Sequence, residues 1–192
     1  MPDLRTVRLL LIPATAAALR AELESPRALA RVLRVHVPES WPPELYDADA
    51  VRWTLRSLES NPADVGWGFY YVAEAPVSPE TLPRLVGAGG YKGGPSASGT
   101  VEIGYAVVPE RRRLGYAREA VYGWLAHAFA DTRVRRVIAH TLPELAPSIA
   151  VLHSAGFSFI GAGDDPTEPT AIAFELSREG YEQRGSGIGR PR

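Results

Sequence analysis

The amino-acid sequence predicts an α/β fold: a single domain with a mixed central sheet of about seven strands, flanked by helices on both faces. Three observations carry that expectation. The chain has 192 residues, 45% apolar and 22% charged. That is the size and composition of one globular domain, able to bury about 70% of its unfolded surface. The apolar periodicity gives elements in the order β-α-α-α-β-β-β-α-β-α-β-β. No internal repeat or linker divides this series into two cores. The domain is expected over residues 1–183, with a disordered tail over 184–192 made mostly of Gly, Ser, Pro and Arg.

The elements follow from local chemistry. Residues 6–12 form a short apolar run stopped by Pro13, which reads as a strand. Residues 14–33 are rich in Ala, Leu and Arg, and Pro26 divides them into two helices, with Ser25 as N-cap of the second. Pro38, Pro42 and Pro43 around Trp41 exclude regular structure over residues 37–46. Asp47 suits the N-cap of a helix reaching Leu58. Strands are expected over 67–74, 85–91 and 100–108, the last two joined as a hairpin by a Gly/Ser/Pro turn. A helix then starts near Gly115. Its apolar stripe is Ala117, Ala120, Val121, Trp124, Leu125, Ala128 and Phe129. A strand over 134–141 precedes a helix begun by Pro147 and ended by Gly156. Strands over 157–160 and 170–176 close the sheet.

Composition narrows the function classes. The chain has no Cys, which excludes thiolate metal clusters and a cysteine nucleophile. His36, His127, His140 and His153 match no metal-binding spacing, so no metal is expected. The net charge of −1 offers no overall basic field for nucleic acid or an anionic membrane. No segment approaches the ~20 apolar residues of a membrane span, and Asp3 and Pro13 argue against a secretory signal. A soluble cytoplasmic protein, monomeric or homodimeric, is expected. Of 21 basic residues only Lys92 is Lys.

The most informative segment runs from Val101 to Arg118. A strand ends, an Arg-rich turn follows, and a long helix opens at a Gly. The first N–H groups of such a helix lack intrahelical partners and point out of its positive end, which makes an anion site. Gly115 and Ala117 leave room for a phosphate to approach the backbone; an ordinary solvated turn is the alternative reading. Gly87-Ala88-Gly89 begins like a dinucleotide fingerprint, but Lys92 stands at its third Gly position, and no P-loop motif is present.

In Arg112-Arg113-Leu114-Gly115-Tyr116-Ala117 the chain resembles the GNAT N-acetyltransferases, whose pyrophosphate motif is [RQ]-x-x-G-x-[GA] between a strand and a helix. Residues 99–105, 7–13 and 148–157 are similar to the branch containing the ribosomal-protein alanine and serine N-acetyltransferases. The resemblance covers about residues 5–176. It implies acetyl-CoA as co-substrate, with its pyrophosphate on the N–H groups of Arg113, Leu114, Gly115, Tyr116 and Ala117, and with Arg112 and Arg118 nearby. The backbone of Val107 and Val108 would hold the pantetheine arm and the acetyl carbonyl. Glu102, carried over from that branch, would act as base through water.

The resemblance also implies a site in the late helix, where the family pattern N-x-x-[SA]-x-x-x-Y is broken. Leu145 stands at the Asn position and Leu152 at the Tyr position, while Ser148 is kept and would face the thiol. A thiol of pKa about 8.5 leaves without full protonation, so loss of the Tyr is chemically mild. Ser148 as a plain first-turn cap, and Glu102 as an exposed strand residue paired with an Arg, are the structural alternatives. His140, near the presumed cleft, is a candidate auxiliary base. Trp41, Tyr46, Trp53 and Trp67 could line an acceptor pocket shaped by residues 38–46, the next helix and residues 81–84, or could be core aromatics. The expected function is direct transfer of acetyl to a primary amine in a ternary complex, the acceptor being a protein N-terminus or a small molecule. A CoA-binding regulatory protein without turnover is the alternative that Leu145 and Leu152 motivate.

Overall fold

The computed structural model describes residues 3–44, 46–61, 66–163 and 169–185. Strands β1 (Leu4–Arg5) and β2 (Leu9–Pro13) precede helices α1 (Ala16–Glu24), α2 (Pro26–Leu33) and α3 (Ala48–Ser60). A meander follows, β3 (Phe69–Glu74), β4 (Arg84–Tyr91) and β5 (Thr100–Val107). The chain continues through α4 (Tyr116–Ala130), β6 (Arg136–Thr141), α5 (Ala146–Ala155), β7 (Ser158–Ala162), β8 (Ile172–Ser177) and α6 (Arg178–Gly185).

The strands form one sheet in the order β1-β2-β3-β4-β5-β6-β8-β7. Every neighbouring pair is antiparallel except β5–β6. The sheet thus has eight strands rather than about seven. The extra one, β1, is two residues long, too short to show any periodicity. The expected tail also starts too early. Arg184 lies in α6 and donates to the Ser154 carbonyl at 3.0 Å. Residues 186–192 lie outside the described residues.

The helix boundaries obey the capping chemistry. Ser25 Oγ accepts from the Ala28 N–H at 3.1 Å, with Pro26 in the first turn of α2. Asp47 Oδ1 accepts from Asp49 and Ala50 at 3.0 and 2.9 Å. Gly156 stops α5 at φ 97°, a conformation other residues adopt at a cost.

Helices cover both faces. Alternation along β2 sends Leu9 and Leu11 toward α4 and Leu10 toward α1–α3. On β3, Tyr70 and Val72 join the first core and Tyr71 and Ala73 the second. Trp124 of α4 is fully buried against this sheet, and its indole N–H has no acceptor among the described residues. The glycines of β4 make room for it. A Cβ at Gly89 would stand 2.4 Å from the Gly104 carbonyl oxygen and 2.7 Å from the Trp124 ring. The Gly-rich run of β4 therefore serves close strand and helix packing.

One half-buried carboxylate organises the second core. Glu22 of α1 accepts from Trp41 Nε1 at 2.7 Å, Tyr46 Oη at 2.9 Å and Tyr71 Oη at 2.8 Å. Trp41 is thus clamped, and the loop carrying Trp41 and Tyr46 is tied to α1 and β3. Burial pushes the Glu22 carboxyl above its usual range, against the opposing effect of those donors.

Two outcomes are expected. Gly89→Ala should lower unfolding stability by about 1–3 kcal/mol in urea titration. Because the folded pKa of Glu22 is raised, the folded state binds its proton more readily than the unfolded chain. Its contribution is present at low pH and is lost as pH rises from about 4.5 through the folded value. The stability of wild type relative to Glu22→Gln should therefore fall across that window, as read by urea titration at successive pH values.

Candidate active site

The site is built where β5 leaves β6. Their parallel pairing runs from Thr100–Arg136 to Ile103–Ala139 and stops, although β5 continues to Val107 and β6 to Thr141. On its other side β5 remains paired with β4 as far as Val107. The bonds Lys92 N–H to Glu102 O (2.9 Å) and Val108 N–H to Val86 O (3.0 Å) set the phase of that ladder. They make Tyr91–Ile103 and Gly87–Val107 non-hydrogen-bonded pairs, so Ile103, Tyr105 and Val107 turn their N–H and C=O toward β6. Ile103 meets β6 there, whereas Tyr105 and Val107 face the gap.

Val107 and Val108 therefore differ. The Val107 N–H faces the gap, and its carbonyl accepts from Arg112 Nε at 3.1 Å. Val108 does not fit the role expected of it. Its N–H is bonded to Val86, its carbonyl accepts from Arg111 at 3.0 Å, and its side chain is fully buried. It supports the turn from within the second core.

A short 3-10 turn, Pro109–Arg111, follows β5. Arg113 and Gly115 then adopt positive φ, 63° and 84°. Two left-handed residues so close together bend the backbone sharply into α4. Among the described residues, no acceptor engages the N–H groups of Arg113, Leu114, Gly115, Tyr116, Ala117 or Arg118. Arg113, Leu114 and Arg118 are exposed. Arg112 is turned aside, paired with Glu44 at 2.8 Å.

Side chains from below brace this turn. Glu119 accepts from Thr6 Oγ1 (2.6 Å), the Arg8 N–H (2.6 Å) and Arg8 Nε (2.7 Å). Arg8 also donates to the Leu114 carbonyl at 3.1 Å. Burial alone would push the Glu119 carboxyl up, but the donors from Thr6 and Arg8 outweigh it and hold it low. Tyr116 is buried and donates its hydroxyl to Glu74, which Arg111 approaches at 3.5 Å.

Below the gap, on the α3 side of the sheet, Glu102 Oε1 takes Lys92 Nζ at 2.6 Å and His140 Nδ1 at 2.9 Å. The hairpin aligns Lys92 with Glu102, and the parallel β5–β6 register brings His140 of β6 alongside. Glu102 is thus paired with Lys and His rather than with an Arg. On the other side of the gap, Tyr105 Oη lies 3.1 Å from the Ser148 carbonyl oxygen and 3.2 Å from Ser148 Oγ. The structure shows Ser148 paired with Tyr105 across the α5 terminus. Burial pushes the Tyr105 hydroxyl up to about 12, against the opposing bond from Ser148, so it stays protonated at neutral pH. Leu145 caps α5 with no side-chain hydrogen bond, and Leu152 is a core residue.

A cleft of about 660 Å³ opens between α3 and the β3–β5 sheet, reaching Gly104, Tyr105 and Ala106 at the gap. Tyr46, Trp53, Trp67 and Lys92 line it; Trp41 and residues 81–84 do not. Arg84 instead faces His36 at 3.1 Å. His127 packs against Trp67 and Tyr91. Sequence reasoning missed Lys92 and Tyr105. Lys92 had one signal, its singularity among 21 basic residues. Tyr105 closes the 99–105 segment of the resemblance, but its pairing was hidden because its partner Ser148 lies 43 positions away.

Comparison with known proteins fits this architecture. The family described as acetyltransferase (GNAT) domain matches residues 8–158. No curated protein gives a significant match. Among solved structures, a GNAT-family acetyltransferase from Bacillus anthracis is 20% identical with a TM-score of 0.59, over 92% of this chain and 99% of that one. Mycobacterium smegmatis RimJ in complex with CoA-disulfide is 19% identical with a TM-score of 0.61, over 93% and 89% of the two chains. The spermidine/spermine N-acetyltransferase SpeG from Vibrio cholerae is 14% identical with a TM-score of 0.63, over 94% and 99%. These likenesses establish the shared fold, and the domain match covers most of the chain. The open sheet, the parted parallel strands and the sharp turn into α4 thus belong to an N-acetyltransferase of the GNAT family.

Proposed function

We propose that this enzyme moves the acetyl group of acetyl-CoA directly onto a primary amine within a ternary complex. The observation that carries the reading is the run of six N–H groups, Arg113 to Arg118, with no acceptor among the described residues, at the turn where β5 has left β6. Such a run at the positive end of a 15-residue helix suits a pyrophosphate. In this reading Leu114, Gly115, Tyr116 and Ala117 grip it with Arg113, while Arg118 adds charge. The Val107 N–H, aimed into the gap, suits the acetyl arm and its oxyanion. Arg112 guards the Val107 carbonyl and would yield it to the pantetheine arm.

The chemistry needs a neutral amine. An α-amino group with pKa about 7.7–8.0 loses its proton readily at neutral pH. Glu102 is the proposed base, acting through water. The network with Lys92 and His140 keeps its carboxylate in place and offers His140 as an onward proton carrier. The amine nitrogen attacks the thioester carbon, the C–S bond breaks, and the amide forms as the proton passes to Glu102. The thiolate leaves beside Ser148 and Tyr105, whose hydroxyls are suited to donate to it. With no Cys in the chain, an acyl-cysteine intermediate has no place in the scheme. The proposed setting is cytoplasmic, as monomer or homodimer, with no nucleic-acid partner.

Acetyl-CoA should raise the melting temperature, and amines should then release free CoA thiol. A thermal titration without response, together with no heat of CoA binding in calorimetry, would contradict the reading. Glu102→Gln should lower kcat/KM by about 10²–10⁴-fold near pH 7. The deficit should shrink as pH rises and the acceptor deprotonates unaided. Unchanged activity of this variant across the pH range would remove Glu102 as base.

A further inference from the structure

We propose that the cleft beside Glu102 takes a primary amine carried on a flat aromatic body, so that the acceptor is of the arylalkylamine class. The inference rests on the acetyl-transfer reading and specifies its acceptor. The walls argue for it first. Tyr46 and Phe69 lie stacked, centroids 4.7 Å apart at 16°, and present aromatic surface to the cleft. This surface is held from behind, since Tyr46 donates to half-buried Glu22. Trp53 of α3 borders the same space and is 54% exposed, an unusual position for a large apolar ring. Ala14 and Ala88 between them keep the cleft open to a planar group. Aromatic faces of fixed orientation favour another ring in stacked or edge contact.

The charges argue for it second. Among the described residues lining the cleft there is no Asp or Glu, and Lys92 is the charged group. An acceptor bearing several ammonium groups would bring extra cations beside Lys92, with no carboxylate among the described lining residues to meet them. A single amine avoids that conflict. It can turn to Glu102, whose Oε1 lies 2.6 Å from Lys92 Nζ at the rim. With the amine end toward that rim, the ring is left to the aromatic walls and gains there what a plain alkyl chain does not. The amide product carries no charge, which leaves Lys92 and Glu102 to pair again.

The experiment compares acceptors with saturating acetyl-CoA. The aromatic arms are 2-phenylethylamine, free phenylalanine and a tetrapeptide beginning with Phe. They share the chemistry and distinguish a simple amine, an amino acid and a protein N-terminus as its source. The controls are n-butylamine and spermidine. At least one aromatic arm should exceed both controls by about tenfold or more in kcat/KM. Trp53→Ala, a change at a half-exposed helix position, should raise KM for that arm about fivefold or more with kcat little altered, and raise it by a clearly smaller factor for n-butylamine. Saturable quenching of tryptophan fluorescence by 2-phenylethylamine, weakened in Trp53→Ala, reads the same contact without turnover. Equal or better use of spermidine or n-butylamine, or a Trp53→Ala variant that loses all acceptors alike, would overturn the inference. An acetyl-CoA thermal shift run beside it separates the two failures. With the shift present, only the acceptor assignment falls; with it absent, the acetyl-transfer reading falls too.

Discussion

β5 and β6 lie parallel in mid-sheet and stop pairing at Ile103 and Ala139, and most of what is specific to this molecule follows from that parting. A central strand normally spends its main-chain groups on both neighbours. Here the β4 ladder fixes the phase, so the groups of Tyr105 and Val107 point into the opening. The same parting sends the two strands to different helices. β5 turns into α4 through Arg113 and Gly115, and β6 leads to α5. One geometrical decision thus creates a slot, a row of main-chain donors along it and a helix terminus at its end. Polar backbone is tolerable there only because the slot opens outward.

Carboxylates hold the parts in place, and their environments distinguish them. Glu119 sits under the turn with donors from Thr6 and Arg8 and is held ionised. It fastens the start of α4 to the chain just ahead of β2. Glu22 is more deeply buried and is pushed the other way, although three donors converge on it. It fixes Tyr46 and hence the aromatic wall of the cleft. Glu102 joins a lysine and a histidine at the rim of that cleft. The first two are structural anchors on opposite faces of the sheet; the third is the proposed base.

Much of this was legible in the sequence, and the limits have physical causes. Ser25, Asp47, Pro147 and Gly156 are local signals, since a cap or a stop acts within a few residues of itself. The turn from Arg112 to Ala117 was legible for the same reason. What escaped depends on pairing across the fold. The two residues of β1 gain meaning only beside Leu10 and Leu11. Val108 looks equivalent to Val107 until the β4 ladder shows which of them has its N–H already bonded. The Arg partner offered as the structural alternative for Glu102 gave way to Lys92 and His140, brought together by one hairpin and one parallel register. The lone lysine, a compositional oddity, became a residue of the cleft wall. Residues 81–84 were expected to help shape the acceptor pocket, yet the start of β4 sits away from the cleft, against His36.

The central claim is that the N–H groups of the turn into α4 are the grip on the pyrophosphate. Amide hydrogen exchange, measured residue by residue with and without CoA, tests it most directly. The account predicts that CoA slows exchange at Arg113 through Arg118 and at Val107, with little change at Val108, which is already bonded to Val86. Protection elsewhere in the sheet, with the Arg113 to Arg118 amides exchanging as fast as before, would contradict it.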